Sequence, residues 1–128
     1  MDSIGIDIVE ISRIKKAISR FGDRFLNRIF TPNELKLYRD KPQSLAARFA
    51  AKEAVAKSLK AKNLSWQDAE ILSADGGKPV IHLHGKAERR ARLLGLGNFS
   101  VSLSHSRSHA VAFVIARKVR SRPRRKRT

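Results

Sequence analysis

Glu53 and Lys57 stand four residues apart in the stretch Arg48-Phe49-Ala50-Ala51-Lys52-Glu53-Ala54-Val55-Ala56-Lys57. In a helix, that spacing stacks the carboxylate and the ammonium on one face. Phe49 precedes Glu53 by the same interval, and Arg48 and Lys52 form a second such pair on an adjoining stripe. A carboxylate and an ammonium aimed the same way can hold a metal-bound phosphate; the same spacing also describes a solvated ion pair on a helix surface. A second carboxylate, Asp7, interrupts the run Ile4-Gly5-Ile6-Asp7-Ile8-Val9. Alternation puts Ile4, Ile6 and Ile8 on one strand face and Gly5, Asp7 and Val9 on the other. An unpaired buried carboxylate is expensive. Asp7 therefore either has a cation, a metal or strong donors beside it, or lies with Val9 on a face turned to solvent.

The elements that must position these groups are legible. A long helix is expected from about Gln43 to about Lys60. Its alanines (Ala46, Ala47, Ala50, Ala51, Ala54, Ala56) favour helix and let another backbone come close. Before it, Ser12 is a candidate N-cap for a helix with Ile14, Ala17, Ile18, Phe21 and Phe25 on an apolar stripe. Arg13, Lys15, Lys16, Arg20, Arg24 and Arg28 fill the rest, and Gly22-Asp23 interrupts it. So many cations with few acids make either a solvated face or a docking surface for an acidic partner. Phe21 and Phe25 as apolar anchors beside the charges favour docking. Thr31-Pro32-Asn33-Glu34 starts a further helix with a capping box. Trp66–Leu72 and Val80–His84 read as two strands of a hairpin around the turn Asp75-Gly76-Gly77-Lys78-Pro79. Gly85–Leu94 reads as a short basic helix closed by Gly95 or Gly97. Phe99–Ser106 alternates apolar with serine, and a loop at Ser104–Ser108 turns it into the apolar strand His109–Ala116. His82 and His84 lack partner ligands at zinc spacing and are expected to be structural or exposed.

The chain has 128 residues, one compact domain's worth, with 41% hydrophobic residues and no cysteine. Disulfides and thiolate metal sites are excluded. No apolar run approaches a membrane span, and the N-terminus leads straight into a strand without the pattern of a signal peptide, so a cytoplasmic protein is expected. The formal charge is +17, and Arg117–Thr128 holds eight Lys/Arg and no acid. The expected division is a folded domain over 1–116 and a basic, disordered tail over 117–128. The body alone is basic enough to attract anions: nucleic acid, nucleotide phosphates or an acidic protein. A nucleic-acid-binding protein is the rival reading of this charge, but it leaves Asp7 and Glu53 without a role and lacks aromatic stacking platforms.

Four segments, taken in order, resemble the holo-acyl-carrier-protein synthases, the small bacterial class of 4′-phosphopantetheinyl transferases. They are Gly5-Ile6-Asp7-Ile8-Val9-Glu10; Arg48-Phe49-Ala50-Ala51-Lys52-Glu53-Ala54 with Lys57; Trp66 and Asp68-Ala69-Glu70-Ile71 with Gly77-Lys78-Pro79; and Val101-Ser102-Leu103-Ser104-His105. The resemblance covers about residues 3–116. It implies an α+β fold in which a long central helix packs on a mainly antiparallel sheet. It implies transfer of 4′-phosphopantetheine from coenzyme A to a serine of an apo acyl carrier protein, releasing adenosine 3′,5′-bisphosphate, dependent on Mg²⁺ and in support of fatty acid biosynthesis. Asp7 and Glu53 are the implied metal ligands, and Glu53, Lys57 and His105 the implied catalytic residues. Arg48, Lys57, Ser104 and His105 are implied coenzyme A contacts, with Gly77, Lys78 and Pro79 lining the nucleotide pocket. The general base is either Glu53 or a metal-bound water. Arg13, Arg20 and Arg24 would pair with carboxylates of the acidic carrier, with Phe21 or Phe25 as anchor. A homotrimer with sites between chains is implied, with no membrane and with nucleic acid reached only through the tail. One departure stands out: a glycine-rich turn commonly follows the lysine, whereas this chain reads Ser58-Leu59-Lys60-Ala61-Lys62-Asn63. A longer helix is one expected consequence.

Overall fold

The computed structural model describes residues 1–119. Residues 120–128, on which most of the expected disordered tail falls, lie outside the described residues. The elements are β1 (Ser3–Glu10), α1 (Ile11–Phe21), α2 (Asp23–Ile29), α3 (Pro32–Tyr38), α4 (Pro42–Ser58), β2 (Ala69–Ser73), β3 (Pro79–Leu83), α5 (Gly85–Leu94), β4 (Leu96–His105) and β5 (His109–Lys118). β1, β5 and β4 form a three-stranded sheet in that order, β2 and β3 form a hairpin, and every pairing is antiparallel. This is the expected α+β arrangement, with α4 lying across β1 and β5.

The approach of α4 to the sheet follows from small residues on both sides. Ala46, Ala47, Ala50, Ala51 and Ala54 are buried on α4, and Ala110, Ala112 and Ala116 are buried on β5. At Gly5 the backbones meet: a Cβ there would stand 1.8 Å from the Ala54 carbonyl oxygen and 3.1 Å from the Ser58 nitrogen. Gly5, Asp7 and Val9 therefore face the helix, and Val9 is buried. The alternative in which that face meets solvent does not hold. The isoleucine face is the one turned outward: Ile4, Ile6 and Ile8 are 58%, 55% and 63% exposed.

Several boundaries differ from expectation for identifiable reasons. The first helix begins at Ile11 rather than after a Ser12 cap, because the Ile11 amide donates to the Ser108 carbonyl of the β4–β5 hairpin at 2.9 Å. Gly22, at φ 56°, splits it into α1 and α2. Trp66–Asp68 forms a 3₁₀ turn instead of strand, and Trp66 lies stacked on Phe49 at 4.8 Å. The Thr31–Glu34 capping box forms as expected. β5 continues through Arg117 and Lys118, two residues into the stretch assigned to the tail.

The missing glycine turn does not lengthen α4. The helix ends at Ser58, with Leu59 as its last cap residue. Lys60 takes the left-handed conformation at φ 51° in the place where glycine is usual. Its amide donates to the Lys57 carbonyl at 3.1 Å, and the Ala61 amide to the Ala56 carbonyl at 3.1 Å, the two bonds of a Schellman motif. A lysine in this conformation costs roughly 1 kcal/mol. Arg90 of α5 offsets part of that cost, its Nε donating to the Leu59 carbonyl at 3.0 Å. Replacing Gly5 by Ala should be the most damaging small change in the fold. We expect a loss of about 3 kcal/mol, the upper end of overpacking costs, read by urea denaturation as a lower midpoint at unchanged slope.

Candidate active site

Asp7 stands in the middle of β1, on its inner face, where the last turns of α4 cross it. The Lys57 ammonium donates to Asp7 Oδ1 at 2.8 Å and to the Ile6 carbonyl at 3.1 Å. Asp7 is 20% exposed and Lys57 55%. The hydrogen bond and charge of Asp7 raise the Lys57 pKa above its ordinary value, so the ammonium persists through alkaline pH. Glu53, one turn back along α4, is half-buried. Burial and the charge of Asp7 push its carboxyl above the usual carboxylate range, with Lys57 pulling the other way. Glu53 and Lys57 line a cavity of about 530 Å³, whose walls also include Ala56, Ala61, Leu64 and Trp66, and Asp7 stands behind them as the partner of Lys57.

Behind this cluster lies a network of buried charges that spacing alone does not reveal. Spacing along α4 pairs Lys52 only with Arg48. It is buried, and its ammonium donates to Glu34 Oε1 at 2.8 Å and to the carbonyls of Trp66 and Ala69 at 3.1 and 2.6 Å. Glu34, fully buried, also accepts from the Thr31 amide at 2.9 Å and the Ile71 amide at 2.8 Å. Removing one member of such a pair strands a buried charge. The network sets the roll of α4 against α3 and β2, and so the direction of Glu53 and Lys57. The available signal was a cation flanked by alanines at positions 50, 51 and 54, on a stripe that close packing must bury.

The other expected site residues fall elsewhere on this chain. Arg48 is buried with its guanidinium 3.6 Å over the Tyr38 ring; Nε donates to the Ile71 carbonyl at 3.2 Å and a terminal nitrogen to Ser73 Oγ at 3.4 Å. Tyr38 and Ser73 are hydrogen-bonded through their hydroxyls. Arg48 thus ties α4 to β2 below the Gly77-Lys78-Pro79 turn. That turn has Gly76 and Gly77 at φ 81° and 82° and does not line the cavity beside Glu53. Ser104 and His105 are exposed at the end of β4, with His105 Nδ1 donating at 3.4 Å to the Ser106 carbonyl. β4 and β1 are opposite edges of one sheet, separated by β5. Strand spacing sets them roughly 10 Å apart, and His105 lies two positions beyond the row Asp7–Ala112–Leu103. One chain does not bring His105 to Lys57. On α1 and α2, Arg13, Arg20 and Arg24 are exposed, and Phe21 is 49% exposed with Arg20 over its ring at 5.2 Å. Phe25 is half-buried, edge-on to Phe30 at 6.3 Å. His84, expected to be structural or exposed, is exposed and within 3.1 Å of Glu70.

A helix capped beside an acidic strand, with the carboxylate and lysine of one helical face meeting the strand's own carboxylate, matches a defined class of group-transfer enzymes. Residues 3–114 match the family model of the 4′-phosphopantetheinyl transferase superfamily, and the chain belongs to that family as an enzyme of the holo-[acyl-carrier-protein] synthase type. A holo-[acyl-carrier-protein] synthase of Dehalococcoides mccartyi is 55% identical over 113 residues, covering 88% of this chain and 95% of the relative. That of Herpetosiphon aurantiacus is 47% identical over 120 residues, 87% of this chain and 94% of the relative. Among solved structures, the Helicobacter pylori holo-[acyl-carrier-protein] synthase in complex with coenzyme A superposes with a TM-score of 0.81 at 37% identity, covering 89% of this chain and 99% of that one.

The strained charge of Glu53 has a measurable consequence. A carboxyl whose pKa is raised on folding stabilises the fold in acid and loses that contribution as pH rises through the raised value. Glu53→Gln should therefore raise the melting temperature at neutral pH, and the gain should shrink below the ordinary glutamate range, where wild-type Glu53 is protonated. Calorimetry across pH reads both.

Proposed function

We propose that this chain transfers the 4′-phosphopantetheine group of coenzyme A to a serine of an acidic acyl carrier protein, in the cytoplasm and in support of fatty acid synthesis. The observation that carries the reading is the Asp7–Lys57 ion pair beside Glu53 at the cavity edge. The donor set suits Mg²⁺: two carboxylates close enough for one to feel the other, and among the described residues no cluster of three or more such ligands. Mg²⁺ favours one or two carboxylates and leaves positions for substrate oxygens. Asp7 and Glu53 would hold it, and when bound it neutralises and polarises the diphosphate.

The chain's own groups divide the remaining work. Lys57, held by Asp7 and the Ile6 carbonyl, keeps a fixed positive charge for the departing phosphate. Such positioning and charge neutralisation are most of what phosphoryl chemistry asks of a protein. As the serine Oγ–phosphorus bond forms, the bond from phosphorus to the bridging oxygen breaks, and adenosine 3′,5′-bisphosphate departs with the electron pair. Glu53, the carboxylate that lines the cavity, takes the serine proton. The exposed arginines of α1 and α2, with Phe21, form the face for the acidic carrier.

We assign the remaining phosphate contacts, Ser104 and His105, to a second copy of the chain. The outer sheet face exposes Ile4, Ile6, Ile8 and Phe113 with half-buried Val111 and Ile115, an apolar surface of the kind that marks an interface. A trimer would cover it and set one copy's β4 end beside another's Asp7. The reading is tested with an apo carrier and a fluorescent coenzyme A. Wild type should label the carrier only with Mg²⁺. Asp7→Asn and Glu53→Gln should each lose about 10²–10³-fold in rate, the range for removing one group that stabilises transition-state charge; full labelling by both would overturn the metal assignment. For the shared site, Asp7→Asn and His105→Ala proteins, each impaired alone, should regain activity when mixed and allowed to exchange subunits. Random assortment restores about a quarter of sites, and no recovery would place the site within one chain.

A further inference from the structure

The outer face of α5 carries more positive charge than the fold uses. Ala87 and Ala91 are buried beneath the helix, while Lys86, Arg89, Arg92 and Leu93 are exposed. Part of the local charge serves the fold. Arg90 donates to the Leu59 and Lys60 carbonyls at 3.0 and 3.4 Å, and Arg92 pairs with Glu88 at 2.7 Å. Lys118 donates to the Leu94 carbonyl at 3.0 Å, a cation placed where the helix ends. Lys86 and Arg89 differ, since neither meets a carboxylate among the described residues.

β5 brings further charge to the same place. The Val119 amide donates to the Gly95 carbonyl at 2.8 Å, so the chain leaves the described fold at the C-terminal end of α5. The sequence from 120 to 128 then adds five arginines and one lysine, with no acidic side chain. Nine residues reach at most about 30 Å, and the ten residues of α5 span about 15 Å. One polyanion can therefore touch both. Arginine is the matching cation for phosphate, which it grips with two parallel donors. A lipid surface fits less well: the exposed face of α5 offers only Leu93 for insertion, and 120–128 holds no leucine, isoleucine, valine or aromatic residue. Neither stretch has an aromatic on which single-stranded bases would stack. Neither has an asparagine or glutamine, the side chains that read adenine in the major groove of DNA. Arginine-rich segments are a recurring means of holding RNA.

We propose that the outer face of α5 and the arginine-rich sequence that follows β5 bind helical RNA through its phosphates, a second activity of the chain. It does not depend on the reaction proposed above.

The test measures fluorescence anisotropy of a labelled RNA duplex with the full chain, beside the DNA duplex of the same sequence and vesicles of phosphatidylserine and phosphatidylcholine. Wild type should prefer the RNA duplex and lose about 10³-fold in affinity between about 50 and 200 mM salt, as six or more phosphate contacts require. Deleting 120–128 should weaken binding by about tenfold or more. Lys86→Gln/Arg89→Gln in the full chain should weaken it as well, and lower the salt slope by about 2. Both proteins should label an apo carrier at the wild-type rate. Binding of the DNA duplex as tight as that of RNA, or binding to vesicles alone, overturns the proposal. An α5 variant with wild-type affinity and slope overturns the joint surface. A raised KM for the carrier with unchanged RNA affinity assigns these cations to the carrier instead, and overturns it too.

Discussion

Backbone contact between one helix and one strand governs this molecule. With Gly5 beneath Ala54 and Ser58, α4 sits on β1 at a separation that any larger residue would forbid. Alanines on α4 and on the inner face of β5 extend the same close approach across the sheet. Side chains that leave the helix near this contact have short reach to the strand, which is why the Lys57 ammonium spans to Asp7 and to the Ile6 carbonyl at once. A more ordinary core of leucines would push the helix away and part the charges. The close approach also reverses the usual sense of an alternating strand. Small residues are required inside, so the isoleucines of β1 are displaced to the outside.

A close helix can still roll about its axis, and the buried charges oppose that. Lys52 and Glu34 are both sealed from solvent, and each is bonded to backbone groups as well as to the other. Such a pair adds little net stability, because desolvation consumes most of the Coulomb gain. Its effect is directional. Rotating α4 would separate the Lys52 ammonium from the carbonyls of Trp66 and Ala69 and leave a charge unsatisfied in the core. Arg48, stacked on Tyr38, does the same work one turn earlier. The helix thus carries two stripes: a buried cationic one that fixes its orientation, and a half-exposed one, Glu53 and Lys57, that faces the cavity.

Much of this was legible from residue types and spacing, and the failures have physical causes. The helices, the β2–β3 hairpin turn and the Thr31 capping box follow from local signals that tertiary contacts did not override. The start of α1 differs from the expected Ser12 cap because its first amide is satisfied from the β4–β5 hairpin, a partner about a hundred residues away that local capping rules do not see. Hydrophobicity alone ranks the isoleucines of β1 as core, whereas the close approach at Gly5 demands the opposite. Glu34 could be read as a capping residue, but its bonds to Lys52 and Ile71 depend on how α3, α4 and β2 stack. The resemblance implies a set of site residues; only coordinates separate Asp7, Glu53 and Lys57, which lie together, from His105, which stands at the other edge of the sheet.

That separation bears on why the enzyme would need more than one copy. A three-stranded sheet cannot fold its edges together, since β5 must remain between β1 and β4 and the Gly5 contact pins α4 against it. No rotamer of His105 crosses that distance, so the two halves of the expected phosphate site are not reconciled by side-chain motion. The outward isoleucines offer the alternative. The small-residue inner face that sets Lys57 against Asp7 is the same constraint that leaves an apolar outer face, and on the proposed reading association through that face supplies the missing edge. Chemistry and assembly then share one cause, the absence of a side chain at Gly5. A variant that restores a conventional core there would be expected to weaken both together.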